Sequence, residues 1–311
     1  MMNKPLVSIC CITFNHEEFI RDTISGFLSQ VVDFEIEILI HDDASTDHTA
    51  HVIQEFEKKH PGLIKPIYQT ENQWSKGIRA SPTYLWPKAK GKYIALCEGD
   101  DYWTDPSKLQ QQVDLLESNS DYIISCHNVL ERRDQELNLF NSEGKIVKEE
   151  FQIEDLFSPW FIPTCSVVFR KPPVIVLPDW YLNSPHGDLG LYFTLMRNGG
   201  KIHYNDTPMA VYRRHPGGVS SRFTKGKLIL SLSYLYTCVN ISFDNKYTDA
   251  ATAGIEEIVD LMNADKYLRV LSDPQKIASV TPFRGLMKAL IIKMRVYLRK
   301  IGLRLSRKTS T

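Results

Sequence analysis

Two hydrophobic rhythms alternate through the first 130 residues. Short, nearly continuous apolar runs occur at 6–14 (LVSICCITF), 34–43 (FEIEILIHDD), 63–69 (LIKPIYQ), 92–97 (KYIALC) and 121–129 (DYIISCHNV). Runs of that length predict strands, several of them buried on both faces. Between them the period becomes helical. In HEEFIRDTISGFLSQ (16–30), Phe19, Ile20, Thr23, Ile24, Phe27 and Leu28 share one face. STDHTAHVIQEFEKKHPG (45–62) predicts a second helix, capped by Ser45 or Thr46 and ended by His60-Pro61-Gly62. SPTYLWPKAKG (81–91) reads as a short helix and DPSKLQQQVDLLESN (105–119) as a clearly amphipathic one. This alternation predicts a parallel, doubly wound α/β layer with helices on both faces.

The pattern loosens after residue 130. Residues 130–160 are polar and mixed, the signature of a loop or hairpin insertion. TCSVVFR (164–170), KIHYND (201–206) and MAVYRRH (209–215) read as strands, and DLGLYFTLMRNGG (188–200) as a helix ended by glycine. From about Thr224 the chain reads as helical to its end. The expected organisation is one α/β domain over 1–223, in halves 1–130 and 131–223, followed by a helical region 224–311.

Composition adds two constraints. With 311 residues, 43% apolar and 24% charged, the chain is globular in type, and its formal net charge of zero gives no reason to expect nucleic acid as a partner. The zero hides an asymmetry. Nine of the 37 Lys/Arg fall in 284–308 with no acid among them, so the rest of the chain carries 28 basic against 37 acidic residues. In that segment Leu286, Leu290, Met294, Tyr297 and Ile301 form one helical stripe, with Lys288, Arg295, Arg299 and Lys300 elsewhere. Such a tail either lies on an anionic membrane surface or docks its stripe on the body with its cations solvated. The six cysteines form neither a zinc spacing nor a disulfide framework. No segment reads as a signal peptide or a spanning helix, so the expected location is cytoplasmic, peripheral on the inner membrane face.

Polar signatures stand at three expected strand ends: Thr13-Phe14-Asn15, then HDDASTD (41–47) with Asp42 and Asp43, then EGDD with Glu98, Asp100 and Asp101. Ligands of open α/β sheets sit at such ends. Each Asp pair taken alone fits a turn or helix cap as well. Crowded carboxylates that converge suit a hard divalent cation, Mn²⁺ or Mg²⁺, which would in turn hold a phosphate. No glycine-rich phosphate loop is present.

The segments VSICCITFNHEEFIRDTISGFLSQ, FEIEILIHDDASTD and GKYIALCEGDDYWTDPSKLQQQVDLL closely resemble the family-2 glycosyltransferases, and 186–220 carries a weaker match. The resemblance implies the GT-A fold: a mostly parallel, Rossmann-like sheet flanked by helices, here with a helical C-terminal extension. It implies transfer of a sugar from a nucleoside-diphosphate donor, a UDP-sugar by family frequency, to a hydroxyl of a glycan or lipid-linked acceptor in cell-surface polysaccharide synthesis. Carried over by position, Thr13, Phe14 and Asn15 would line the nucleotide, Asp43 would accept from the base and Asp42 would support the turn. Lys76 and Arg79 would contact the nucleotide or form a solvated face. Asp100 would hold ribose or metal and Asp101 the metal, with Glu98 replacing the family's first Asp.

An inverting transferase also needs a carboxylate base near the acceptor hydroxyl. Asp188, opening the 188–200 helix, matches the family's acidic position there; the alternative is a helix cap. Arg213 and Arg214 are candidates for the diphosphate and His215 for a third metal ligand. Trp103, Trp160 and Trp180 fit either acceptor stacking or the core. Two other functions compete. A nucleotidyltransferase would want a glycine- and lysine-rich loop where TFNHEEF is acidic, and a non-catalytic sugar-nucleotide-binding scaffold would not need the intact Asp100-Asp101 pair.

Overall fold

The computed structural model describes residues 4–142, 146, 148–158, 161–218 and 224–261. The predicted tail 284–308 and Trp160 lie outside the described residues. Four strands, β1 (Val7–Thr13), β2 (Ile36–Asp42), β3 (Ile64–Tyr68) and β4 (Tyr93–Leu96), are linked first by the helices α1 (Ile20–Leu28) and α2 (Thr49–Lys59). Then follow β5 (Tyr102–Trp103), α3 (Lys108–Ser118), β6 (Tyr122–His127), the hairpin β7 (Leu130–Arg133) with β8 (Glu136–Leu139), and β9 (Glu150–Phe151). The elements β10 (Val168–Arg170), α4 (Asp179–Asn183), α5 (Gly187–Leu195), β11 (Lys201–Asn205) and β12 (Ala210–Arg214) complete the α/β unit. Its main sheet runs β3-β2-β1-β4-β10-β6-β11-β9, and a smaller one runs β5-β12-β7-β8.

The main sheet is parallel through β3, β2, β1 and β4, as the rhythm predicts. β10 is antiparallel to both β4 and β6, and β9 to β11. β1 lies between two neighbours and is sealed on both faces: Val7, Ile9 and Cys11 are fully buried and Cys10 nearly so. α1 buries Ile20, Thr23, Ile24, Gly26 and Phe27. Gly26 is required there, since a Cβ would come within 2.8 Å of the Trp103 carbonyl oxygen of β5.

Register places the site. Thr13 pairs with Asp42 at the carboxyl ends of β1 and β2, and Cys10 pairs with Leu96 at the end of β4. The three polar signatures therefore meet along one edge of the sheet. Other details differ from the sequence reading. SPTYLWPKAKG forms only a π-helical turn at Ser81–Leu85. α5 stops at Leu195, a 3₁₀ turn follows, and Gly199 and Gly200 leave it with φ of 92° and 100°. MAVYRRH joins the smaller sheet.

The second unit contains α6 (Lys225–Ser242) and α7 (Thr248–Leu261), with 157–158 and 184–186. Asn240 joins its two helices, donating to Thr248 Oγ1 at 3.0 Å and accepting from Tyr247 N–H at 2.9 Å. Among the described residues no helix is long and apolar enough to cross a membrane.

Candidate active site

The loops after β1 and β2 are tied to each other. Asn15 adopts φ of 54°, a left-handed conformation that Asn tolerates. Its N–H donates to Ser45 Oγ at 2.9 Å and its side-chain oxygen accepts from Thr46 N–H at 2.8 Å. His16 N–H is held by Thr49 Oγ1 at 2.8 Å. Thr13 is buried, whereas the Phe14 ring is 39% exposed and open to a planar ligand. Asp42 is buried and accepts from Ser45 Oγ at 2.5 Å; burial pushes its carboxyl up, against the Ser45 bonds. It supports the turn, as its position implies.

Asp43 has a second duty. Its two oxygens accept the backbone N–H groups of Gln73 and Trp74 at 2.7 and 3.0 Å, which fixes the loop after β3. Any base contact would use the remaining lone pairs of those oxygens. Lys76 is paired with Glu71 on the surface, so its charge is already engaged. Arg79 turns instead toward the start of α5. Its guanidinium lies 5.3 Å from the Tyr181 ring centroid, and its Nη1 fills the space that a Cβ on Gly187 would occupy. Burial pushes the Arg79 pKa down, and the Tyr181 and Asp188 charges oppose that.

Glycine makes the EGDD loop possible. Gly99 N–H donates to Ile12 O at 2.9 Å, and a Cβ at Gly99 would lie 2.5 Å from Thr13 Oγ1 and 2.6 Å from Thr13 Cβ. The loop thus lies directly on the end of β1. Its three acids have different fates. Glu98 is partly exposed and is pushed up to about 8 by burial and then by the charges of Asp100 and Asp188. Asp188, in the first turn of α5, is therefore close enough to act on Glu98.

Asp100 faces two imidazoles. Its Oδ2 is 3.0 Å from His215 Nε2 and 3.8 Å from His16 Nε2. Burial alone would raise the Asp100 pKa, but the His215 hydrogen bond and the two histidine charges hold it below its ordinary value. One ligand atom from each of His16, Asp100 and His215 lies within 4.8 Å of the others, a spacing suited to a metal ion. The donor set fits a divalent cation: an ionised carboxylate with imidazole nitrogen beside it. Burial pushes the His16 pKa down, against the neighbouring Asp100 charge.

Several expected roles need correction. Asp101 is not in the ligand cluster. Its side chain is buried, 1% exposed, with Oδ1 accepting Arg213 N–H at 2.8 Å, and burial followed by repulsion from Asp100 and Glu98 pushes it well up. Arg213 is not free for a diphosphate. Its guanidinium binds Asp22 Oδ2 at 2.5 Å and Asp100 O at 3.0 Å, and lies 4.2 Å from the Tyr102 ring and 5.2 Å from the Phe19 ring. Arg214, on the opposite side of β12, pairs with Glu131 at 2.9 Å. Trp103 is core, 2% exposed, with Nε1 donating to Cys165 O at 2.8 Å; Trp180 is also buried. His16 joins this cluster without a motif of its own, and its one sequence signal is its place immediately after the strand-end Thr13–Asn15 signature.

Comparison with known proteins places the chain in a family. The family described as glycosyl transferase family 2 matches residues 8–174, more than half the chain. An uncharacterized protein of Mycobacterium tuberculosis is 37% identical over 222 residues, 68% of this chain and 60% of that protein; the match thus spans under two thirds of the relative's length. The Escherichia coli protein named UDP-Glc:alpha-D-GlcNAc-diphosphoundecaprenol beta-1,3-glucosyltransferase WfaP is 26% identical over 216 residues, 70% of this chain and 80% of that one. The crystal structure of Staphylococcus aureus TarS 1-349 in complex with UDP-GlcNAc superposes with a TM-score of 0.64 at 14% identity, covering 96% of this chain and 93% of that one. At that identity the likeness establishes the GT-A fold alone. With its strand-end acids, its EGDD loop on β1 and the family match over both, the chain belongs to glycosyltransferase family 2.

Proposed function

We propose that the protein is an inverting, metal-dependent transferase that moves a sugar from a nucleoside-diphosphate donor, a UDP-sugar, to a hydroxyl of a lipid-linked glycan intermediate. The observation that carries the metal dependence is the 3.0 Å approach of His215 to Asp100 across 115 positions of sequence, at the edge where β1, β2 and β4 end. When bound, a divalent cation held by Asp100 and His215 would neutralise the growing charge on the departing diphosphate.

The protein's own residues supply the rest. Phe14, exposed beside the Asn15 turn, offers a face for the base, and Thr13 and Asn15 shape the floor beneath it. Asp188 is the general base. The acceptor oxygen attacks the anomeric carbon, its bond to the diphosphate oxygen breaks, and the hydroxyl proton passes to the Asp188 carboxylate. Arg79, packed against Tyr181 and Gly187, holds the α5 N-terminus that presents Asp188. WfaP, whose printed acceptor is a diphosphoundecaprenol-linked sugar, supports the lipid-linked class. The basic 284–308 segment fits a location on an anionic membrane face.

A screen of nucleotide sugars with Mn²⁺ present, reading released nucleoside diphosphate, tests the proposal. Release with a UDP-sugar that EDTA abolishes is expected. Release that persists undiminished in EDTA would overturn the metal dependence, and release with no UDP-sugar but with another donor would overturn the base assignment.

A further inference from the structure

We propose that His16 is a third protein ligand of the cation held by Asp100 and His215, making a set of two imidazoles and one carboxylate that selects a transition-metal ion over Mg²⁺. The inference rests on the metal reading given above. It concerns a residue outside the EGDD segment and outside the C-terminal half, brought in by the loop after β1.

Three observations support it. The first is orientation. His16 Nδ1 lies 3.2 Å from Thr13 Oγ1, and with the ring proton on Nδ1 it donates to that hydroxyl and leaves the Nε2 lone pair toward Asp100, the tautomer a metal-bound imidazole requires. A partner on the far ring nitrogen that fixes tautomer and orientation is the usual support of a metal-bound imidazole. The second is the contact it leaves. Nε2 and Asp100 Oδ2 stand 3.8 Å apart, too far for a hydrogen bond. In that tautomer they are two acceptors facing one another, an arrangement a cation between them would turn from repulsive to attractive. The third is convergence. The His16 and His215 rings meet edge-to-face at 6.0 Å, and both direct Nε2 at the same carboxylate oxygen.

The backbone holds His16 independently of its ring. Its N–H bonds Thr49 Oγ1, and its carbonyl accepts from Phe19 and Ile20 N–H at 2.9 and 2.8 Å. The loop's backbone bonds thus do not use the ring, which packs edge-to-face on Phe19 at 6.2 Å while its Nε2 faces Asp100. The choice of ion follows from donor chemistry. Mg²⁺ wants oxygen ligands and retains its waters, whereas imidazole nitrogen binds the first-row transition ions, Mn²⁺ the most weakly and Co²⁺ and Zn²⁺ more strongly. One imidazole is compatible with either class; two shift the balance toward the transition metals.

The test is metal binding by the full chain without nucleotide. Free Mn²⁺ would be followed by electron paramagnetic resonance, with Mg²⁺ measured by competition, in the native protein and in His16→Ala, His16→Gln, His215→Ala and Asp100→Asn. Nitrogen couplings to bound Mn²⁺ in pulsed spectra would count the imidazoles. The native protein should bind Mn²⁺ more tightly than Mg²⁺ and show two imidazoles. His16→Ala and His16→Gln should each weaken Mn²⁺ by about tenfold or more, the scale for loss of groups supporting a metal site. They should leave Mg²⁺ much less affected and show one imidazole. Mn²⁺ affinity and nitrogen couplings unchanged in both His16 variants, but lost in His215→Ala, would overturn the role of His16 alone. Affinity unchanged in Asp100→Asn and His215→Ala as well would overturn the metal reading beneath it.

Discussion

Lys108 is fully buried at the start of α3, and replacing it by Met should stabilise the protein at neutral pH. Its Nζ lies 4.1 Å from the Trp103 ring centroid and donates to Gln112 Oε1 at 2.8 Å. Those contacts favour the ammonium, yet burial dominates and pushes its pKa from 10.5 to about 7. At about 1.36 kcal/mol per unit, a shift of that size corresponds to roughly 5 kcal/mol of unfavourable interaction in the charged form. The sign follows from linkage. Between pH 7 and the ordinary lysine value, the unfolded chain holds a proton that the folded chain releases, so stability rises with pH through that window. Below pH 7 both states are protonated and the full penalty applies. Met fills the same space without charge, but leaves Gln112 Oε1 without this donor, at a cost of about 1–3 kcal/mol. The net gain at pH 7 should be on the order of 1–4 kcal/mol, the range seen when buried charges are replaced by apolar groups. Thermal unfolding of native protein and Lys108→Met, measured from pH 6.5 to 10, reads this directly. Other titrating groups are common to both proteins, so the difference between their curves isolates Lys108. It should be largest at the acidic end and shrink as pH rises. A difference that stays flat across the range would refute the reasoning, because it would mean that Lys108 keeps its proton on folding.

The remaining predictions concern the site. Asp188→Asn should lower turnover by about 10²-fold or more while donor affinity by calorimetry stays near native, the pattern of a lost base; affinity falling in step with turnover would make it a binding residue. Asp101→Asn should keep Mn²⁺ affinity, since that side chain is not in the ligand cluster, and its amide oxygen can still accept Arg213 N–H. Asp101→Ala, by contrast, orphans that buried N–H and should cost about 1–3 kcal/mol in urea unfolding; an unchanged unfolding midpoint would argue against the bond. Gly99→Ala forces a Cβ to 2.5 Å from Thr13 Oγ1, so it should weaken donor binding and lower the melting temperature together. Native-like values of both would mean the loop does not lie on β1 as described.

The fold was legible wherever periodicity had room to act. β1, β2, β4 and α3 span enough residues for a buried run or a helical face to declare itself, and they lie where the pattern puts them. Short elements left no such trace. β5 and β9 are two residues each and α4 is five, so each exists through its partners rather than through its own sequence. The same limit applied to SPTYLWPKAKG, which reads as a short helix but holds only the turn Ser81–Leu85, with Pro82 tolerated in its first positions and Pro87 just beyond its end. In the site, the strand-end acids could be foreseen because register is fixed by the buried runs behind them. The division of labour among them could not, since neighbouring residues in a loop point in different directions that only tertiary packing chooses.

The Asp100-Asp101 pair illustrates how that choice is made. The resemblance implied the metal for Asp101 and ribose or metal for Asp100, and like charges placed so close repel unless each finds its own compensation. Asp101 turns inward, where Arg213 N–H meets its carboxyl at 2.8 Å, and Thr23 Oγ1 donates to its carbonyl at 2.7 Å. These bonds fasten the EGDD loop to α1 on one side and to β12 on the other. Arg213 adds a second fastening, with its guanidinium on Asp100 O and Asp22 between the Tyr102 and Phe19 rings. Two residues beyond Arg213 the chain reaches His215, which therefore arrives 3.0 Å from the Asp100 carboxylate. The inward acid and the arginine thus act on the proposed metal site from outside the cluster: they set the distance between Asp100 and His215. Arg213, expected to grip the diphosphate, serves instead as the frame, and the sequence segment YRRH contributes one proposed ligand, His215, placed beside Asp100 by its neighbour.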